Sequence, residues 1–123
     1  MILFEFNPDL ALLTLRLGLG ILFLAHGPQK LMKSGAMAQG MGLTPAAVLG
    51  IGLLETLGAL SVLLGVWTQI GAIFLGIVML GAIYFKTQKW SKKFTGDSGW
   101  ELDFIILAAA LAVLFAGPGA FTL

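Results

Sequence analysis

Two charged residues lie inside long apolar stretches of the sequence, where lipid would surround them. Arg16 is the only charge before His26 in the first stretch, and Glu55 is the only charge between Ala46 and Phe85. At about 1.5 Å per helical residue, Arg16 lies roughly 12 Å and Glu55 roughly 17 Å below the same predicted end. A charge near the bilayer centre costs about 2.5–3.5 kcal/mol, so we expect these two residues to form a buried ion pair. Such a pair either lines a binding site or only ties two helices together.

A second group of polar residues lies near the ends of the apolar segments, and four spans would bring these ends together. The group consists of His26, Lys30, Tyr84, Glu101 and Asp103. Beside apolar helix walls, it offers the hydrogen-bond donors and titratable groups that a quinone or another amphipathic ligand needs. Each member except His26 also has a structural explanation as an interface anchor, a helix cap or a charge at a helix dipole. Both interpretations, a ligand site and a set of anchors, are open.

Other site chemistries find little support. Cysteine is absent, so the chain forms no disulfide and holds no iron–sulfur cluster through its own residues. A single histidine gives no paired ligands for a metal and only one axial ligand for a haem. No triad or nucleophile elbow is present. We predict no metal site, assign no catalytic residue and expect the isolated chain not to be an enzyme. Quinone is the candidate cofactor.

The composition indicates a membrane protein. Hydrophobic residues make up 59% of the 123 residues and charged residues 11%, against about 25% charged in a soluble domain. The net charge of +1 provides no basic surface for nucleic acid. We therefore expect a single transmembrane domain and no nucleic-acid partner.

Four apolar segments are predicted to cross the membrane, for which a helix needs about 20 apolar residues. The fold class that we predict is an all-α integral membrane protein, a four-helix transmembrane bundle over residues 1–123. Its helices are predicted at about 10–31, 46–65, 69–86 and 101–116. Small residues at four-residue spacing favour close helix packing, either within one chain or in a homo-oligomer.

Local signals predict where these helices begin and end. Thr44 followed by a proline is typical of a capped helix start. Gly65 is expected to end this second helix, and Thr68 is expected to cap the third. Ser98 and Glu101 have the spacing of a capping box, which predicts the start of the fourth helix.

The distribution of lysines predicts the orientation of the chain. With four spans, both termini and the turn near residue 67 share one side, and the loops at about 32–44 and 86–100 share the other. All the lysines fall on the second side: Lys30, Lys33, Lys86, Lys89, Lys92 and Lys93. The positive-inside rule then places both loops in the cytoplasm and both termini outside, in a multi-pass protein of the inner (cytoplasmic) membrane.

The order of these sparse features resembles that of the DoxX family of small bacterial and archaeal membrane proteins. The resemblance extends from Arg16 to Gly119. It rests on Arg16, His26-Gly27-x-x-Lys30, Glu55 between Gly52 and Gly58, Gly65, Gly99-x-Glu101 and Gly117-Pro118-Gly119. Many relatives carry a histidine near the end of the third helix, where this chain has Tyr84, so the resemblance does not extend to proton transfer at that position.

The resemblance implies a quinone-linked respiratory context, since relatives are associated with membrane complexes that handle sulfur compounds or oxidative stress. The expected function is a membrane-embedded accessory subunit of such a complex, with membrane lipid, a redox partner protein and a second copy of the chain as candidate partners. Two alternatives are open. One is a small-solute transporter or channel that uses Arg16 and Glu55 as an internal binding pair; the other is a ligand-free scaffold.

Overall fold

The computed structural model describes residues 5–123, and this part of the chain is all-helical. It contains α1 (Pro8–Met32), α2 (Ser34–Met41), α3 (Pro45–Leu64), α4 (Thr68–Tyr84), a π-helical segment (Phe85–Lys89) and α5 (Glu101–Ala116). The helices α1, α3, α4 and α5 correspond to the four predicted ones, and their ends differ from the predicted ends by at most two residues. The short α2 lies where a loop was predicted. Residues 1–4 of the predicted outer N-terminus lie outside the described part.

Side-chain caps begin the first and third helices. The Asn7 side chain accepts a hydrogen bond from the Leu10 backbone N–H at 3.1 Å, and the Thr44 hydroxyl accepts one from the Ala47 N–H at 3.1 Å. Each cap residue is followed by a proline, whose missing N–H is harmless in the first helical turn. The predicted helix start at Thr44 is confirmed.

The turn between α3 and α4 is formed by left-handed backbone and a serine. Gly65 ends α3 with a φ of 73°, as expected for a glycine at this position. The Ser61 hydroxyl lies 2.6 Å from the Val66 carbonyl and 2.9 Å from the Trp67 carbonyl, which holds the turn against α3. Thr68 does not cap α4, because it is the first helical residue and its buried hydroxyl has no hydrogen-bond partner within residues 5–123.

The predicted capping box at the start of α5 is wrong. Ser98 has a φ of 56°, and no side chain caps this helix. Instead the preceding loop folds back and supplies carbonyl oxygens. The Trp100 N–H donates to Lys93 O at 3.3 Å, and the Glu101 N–H donates to Phe94 O at 2.9 Å. The Ser98 hydroxyl is therefore not used in helix capping.

The long helices pack as antiparallel neighbours in the order α1, α3, α4, α5, with α1 against α5 the least extensive of these contacts. The tightest approach is between α1 and α3. A Cβ on Gly27 would lie 2.5 Å from the Thr56 hydroxyl, and a Cβ on Gly52 would lie 3.0 Å from the Gly27 carbonyl. Small residues allow helix backbones to approach this closely in lipid.

The outer surface of the bundle is apolar. Large hydrophobic side chains such as Ile21, Leu57 and Ile77 are exposed, while the buried core includes Phe23 and Leu75. Three helices are long and apolar enough to cross a membrane: Pro8–Met32, Pro45–Leu64 and Thr68–Lys89. The 16 residues of α5 are apolar but shorter, roughly 24 Å at about 1.5 Å per residue. The chain is thus an all-helical membrane protein with three helices of spanning length.

Candidate ligand site

Arg16 is buried, with 1% of its surface exposed, and within residues 5–123 its guanidinium donates hydrogen bonds only to backbone carbonyls. Its Nε donates to Val62 O at 2.8 Å and its Nη2 to Leu63 O at 3.1 Å. Its Nη1 donates to Pro118 O at 2.9 Å and to Phe121 O at 2.6 Å. Arg16 therefore joins α1 to the last turn of α3 and to the C-terminal segment.

The predicted ion pair between Arg16 and Glu55 is wrong. The Glu55 Cβ lies 3.1 Å from a Cβ built on Gly27, which stands eleven residues after Arg16 on α1, roughly 16 Å along the helix. The first turns of α1 extend past the end of α3, so Arg16 lies beside the carbonyls of Val62 and Leu63. The predicted depths of Arg16 and Glu55 were counted from helix ends assumed to be level, so the stagger of α1 against α3 was not predicted.

The C-terminal segment, residues 117–123, covers the end of the bundle where Arg16 lies. The Asp9 side chain accepts a hydrogen bond from the Ala120 N–H at 3.0 Å, and the Leu123 N–H donates to Leu64 O at 3.0 Å. Together with the contacts of Arg16, these bonds tie the segment to α1 and α3. The backbone of the C-terminal segment therefore covers this end of the bundle.

The partner of Glu55 is Lys30. Lys30 Nζ lies 3.0 Å from Glu55 Oε2, and the exposed fractions of the two side chains are 12% and 4%. The pair joins α1 to α3 at the opposite end of the bundle, called here the lysine-rich end because Lys30, Lys33, Lys86, Lys89, Lys92 and Lys93 lie there. Lys30, a predicted site residue, thus compensates the charge of Glu55, for which Arg16 was the predicted partner.

A cavity of about 520 Å³ opens between α1, α3, α4 and α5 at the lysine-rich end. Its walls are mostly apolar, with Phe23, Leu54, Val78, Met79 and Ile106 among them. Its polar lining residues are His26, Lys30, Glu55, Lys86 and Asp103. This volume and this mixture of many apolar walls with a few polar groups are typical of sites for small amphipathic molecules.

A second ion pair lies at the α4–α5 side of the cavity. Lys86 Nζ lies 2.7 Å from Asp103 Oδ2 and also donates a hydrogen bond to Gly99 O at 3.3 Å. The contact with Asp103 is an ion contact rather than a hydrogen bond, because its angles fall outside hydrogen-bonding geometry and Oδ2 has no hydrogen-bond partner within residues 5–123. The two carboxylates balance the charges of the two lysines in the cavity.

The π-helical segment directs part of the chain toward the cavity. Its Phe85 and Lys86 line the cavity, as does Trp90 just after it. The Trp90 N–H donates to Phe85 O at 2.9 Å, and the two rings are 5.9 Å apart. Single π turns inside α-helices occur frequently at functional sites.

Three of the five predicted ligand-site residues line this cavity, namely His26, Lys30 and Asp103. The other two lie outside it. Tyr84 is 53% exposed, and the exposed Glu101 is the first residue of α5. Tyr84 and Glu101 occupy outward positions on their helices, so the expectation that they share one site with His26 is corrected.

The sequence interpretation missed several cavity residues. Glu55 was predicted to pair with Arg16, and Met41, Leu43 and Trp90 fall outside the predicted helices. Lys86 is the last residue of the third predicted helix, but nothing in the sequence pattern indicated a π turn there. Within residues 5–123 no group of three His, Asp or Glu side chains is placed to hold a metal ion.

The fold and this site define a class of protein: an all-helical membrane protein with an apolar cavity and polar groups at one end. The DoxX family model matches residues 11–88, more than half of the chain. The chain belongs to the DoxX family. The match covers α1 from its fourth residue, all of α2 to α4 and most of the π-helical segment, while Asp103 and the C-terminal segment lie beyond it. No curated protein and no solved structure gives a significant match.

Proposed function

We propose that this DoxX-family protein binds a quinone-class molecule in the cavity at the lysine-rich end, as the membrane-embedded accessory subunit of a redox or oxidative-stress complex. The observation that carries the proposal is the cavity itself. It combines apolar walls with His26 and the two ion pairs Lys30–Glu55 and Lys86–Asp103.

The charge balance of the cavity favours a neutral head group. Each lysine is beside a carboxylate, so the site has no excess charge that would select an anion. The lysine N–H groups that are not used in these pairs can donate to carbonyl oxygens, and His26 can donate to or accept from a ring oxygen. A quinone ring with two carbonyls suits this arrangement, and the apolar walls of the cavity suit the first part of its tail.

The protein's own residues bind and orient such a ligand and leave electron transfer to a partner. The sequence holds no cysteine, so the electron donor or acceptor belongs to another subunit. His26 and the carboxylates are groups that exchange protons with a bound ring. The transporter alternative used Arg16 and Glu55 as an internal binding pair, and these two residues are not partners.

We expect His26→Leu to lower quinone binding about fivefold, the effect of losing one hydrogen bond of about 1 kcal/mol. Ala82→Trp, which places a large ring in the cavity wall, is expected to abolish binding. The measurement is equilibrium binding of decylubiquinone to the purified protein in nanodiscs. Tyr84→Phe and Glu101→Gln are matched controls just outside the cavity and should bind as the wild type does. Absence of binding to the wild type, or full binding by Ala82→Trp, would contradict the proposal and favour a ligand-free scaffold.

The proposal includes four spans with both termini outside the cytoplasm of an inner-membrane protein. The support is the antiparallel packing of the apolar α5 on α4 and the position of every lysine at one end. We expect a green fluorescent protein fused after Leu123 to stay dark and an alkaline phosphatase fused there to be active. The same reporters inserted after Lys93 should give the opposite result. A bright C-terminal fusion would mean three spans or the reverse orientation.

A further inference from the structure

A second, shallower groove lies next to the cavity at the surface of the lysine-rich end. It has a volume of about 500 Å³ and is lined by Gly40, Lys86, Trp90, Lys92 and Ser98. Lys86 and Trp90 belong to both the groove and the cavity. The groove is more open and more polar than the cavity, which favours an occupant of different chemistry.

Lys92 gives the groove an uncompensated positive charge. The charge of Lys86 is balanced by Asp103, whereas Lys92 is exposed and forms no salt bridge within residues 5–123. The Lys92 N–H donates to Lys86 O at 2.6 Å, which fixes its backbone beneath the π-helical segment. The nearest acidic residue in the loop, Asp97, is exposed and likewise forms no salt bridge in the described part of the chain.

Ser98 supplies a free hydroxyl from an ordered loop. Its side chain makes no hydrogen bond in the part of the chain that the structure describes, since it does not cap α5. The loop around it is held by the Gly99 N–H, which donates to Gly96 O at 3.1 Å. It is also tightly packed, because a Cβ on Gly99 would lie 2.6 Å from Phe94 O. The backbone that carries the hydroxyl is therefore held in place.

We propose that this groove binds the phosphodiester head group of an anionic phospholipid. Lys92 supplies a point charge for the phosphate, and Ser98 supplies a neutral donor. Basic groups at the ends of membrane helices attract anionic lipids. The source is lipid rather than a soluble anion because Trp90 forms one wall and Phe94 is exposed nearby, as in an aromatic interfacial belt. The groove shares Lys86 and Trp90 with the cavity, but the lipid proposal does not depend on quinone binding there.

The test is lipid retention by the whole protein in nanodiscs of mixed phosphatidylglycerol and phosphatidylcholine, followed by native mass spectrometry. We expect the wild type to retain phosphatidylglycerol selectively. Lys92→Gln should reduce this retention about fivefold, as expected for one lysine at a lipid head group. Lys33→Gln is the matched control, because Lys33 is an exposed lysine at the same end outside the groove.

Further variants separate a specific site from a general attraction. Lys92→Arg should restore most of the retention, and Ser98→Ala should lower it by a smaller factor than Lys92→Gln. Unchanged thermal unfolding of each variant shows that folding is not the cause. Equal losses in Lys92→Gln and Lys33→Gln, or equal retention of both lipids, would overturn the proposal. Displacement of the bound lipid by millimolar inorganic phosphate would assign the groove to a soluble anion instead.

Discussion

Replacing Arg16 with leucine is expected to lower the free energy of unfolding in detergent by about 3–5 kcal/mol. The side chain is buried and donates four hydrogen bonds to carbonyls of α3 and the C-terminal segment. Leucine is well tolerated in a membrane helix, so the loss reflects the missing bonds rather than an unfavourable side chain. The measurement is a thermal or denaturant unfolding curve of the purified protein.

Two further variants define the cause. Arg16→Lys keeps the charge but cannot reach carbonyls on both sides with a planar fork, so we expect a loss of intermediate size. Lys33→Leu removes an exposed positive charge and should change stability by less than about 0.5 kcal/mol. If Arg16→Leu were as stable as the wild type, the C-terminal segment would not be held by this residue.

Removing one member of the Lys30–Glu55 pair is expected to be similarly costly, at about 3–5 kcal/mol, because the other member is left with an uncompensated charge. We expect Glu55→Leu and Lys30→Met each to show this loss. The double variant should regain most of the stability, since two apolar residues can replace a buried pair at little cost. A double-mutant cycle on unfolding in detergent measures the coupling.

The same cycle applied to Arg16 and Glu55 is the control for the pairing. These residues have separate partners, so their losses should add. The Lys86–Asp103 pair is more exposed than Lys30–Glu55, and its coupling should be smaller. Strong coupling between Arg16 and Glu55, or none between Lys30 and Glu55, would contradict the observed arrangement.

Helix positions were readable from the sequence because their signals are local. Thr44 followed by proline and Gly65 in a left-handed turn each act within a few residues, and both marked the ends of α3 correctly. The helix α2 was not predicted because its eight residues include two glycines and no side chain caps its N-terminus. Ser98 shows the limit of such signals, since loop carbonyls took the place of the predicted cap.

The pairing of charges was not readable, because it depends on how far one helix slides past another. Arg16 and Glu55 were predicted to pair because they are the two charges inside the long apolar stretches. The stagger of α1 against α3 and the return of the C-terminal segment gave Arg16 carbonyl partners instead. Lys30 was predicted at the end of a helix, either as a ligand-site residue or as an interface anchor, and its Nζ lies 3.0 Å from Glu55 Oε2.

The π-helical segment amounts to one extra residue in the last turn of the third long helix. Its bond from the Trp90 N–H to Phe85 O spans five residues instead of four. Loss of a single residue from this turn would restore α-helical spacing and rotate Trp90 by about 100°. Trp90 would then leave the walls of both the cavity and the groove. The geometry of this end of the protein therefore depends on the length of the chain here as much as on its side chains.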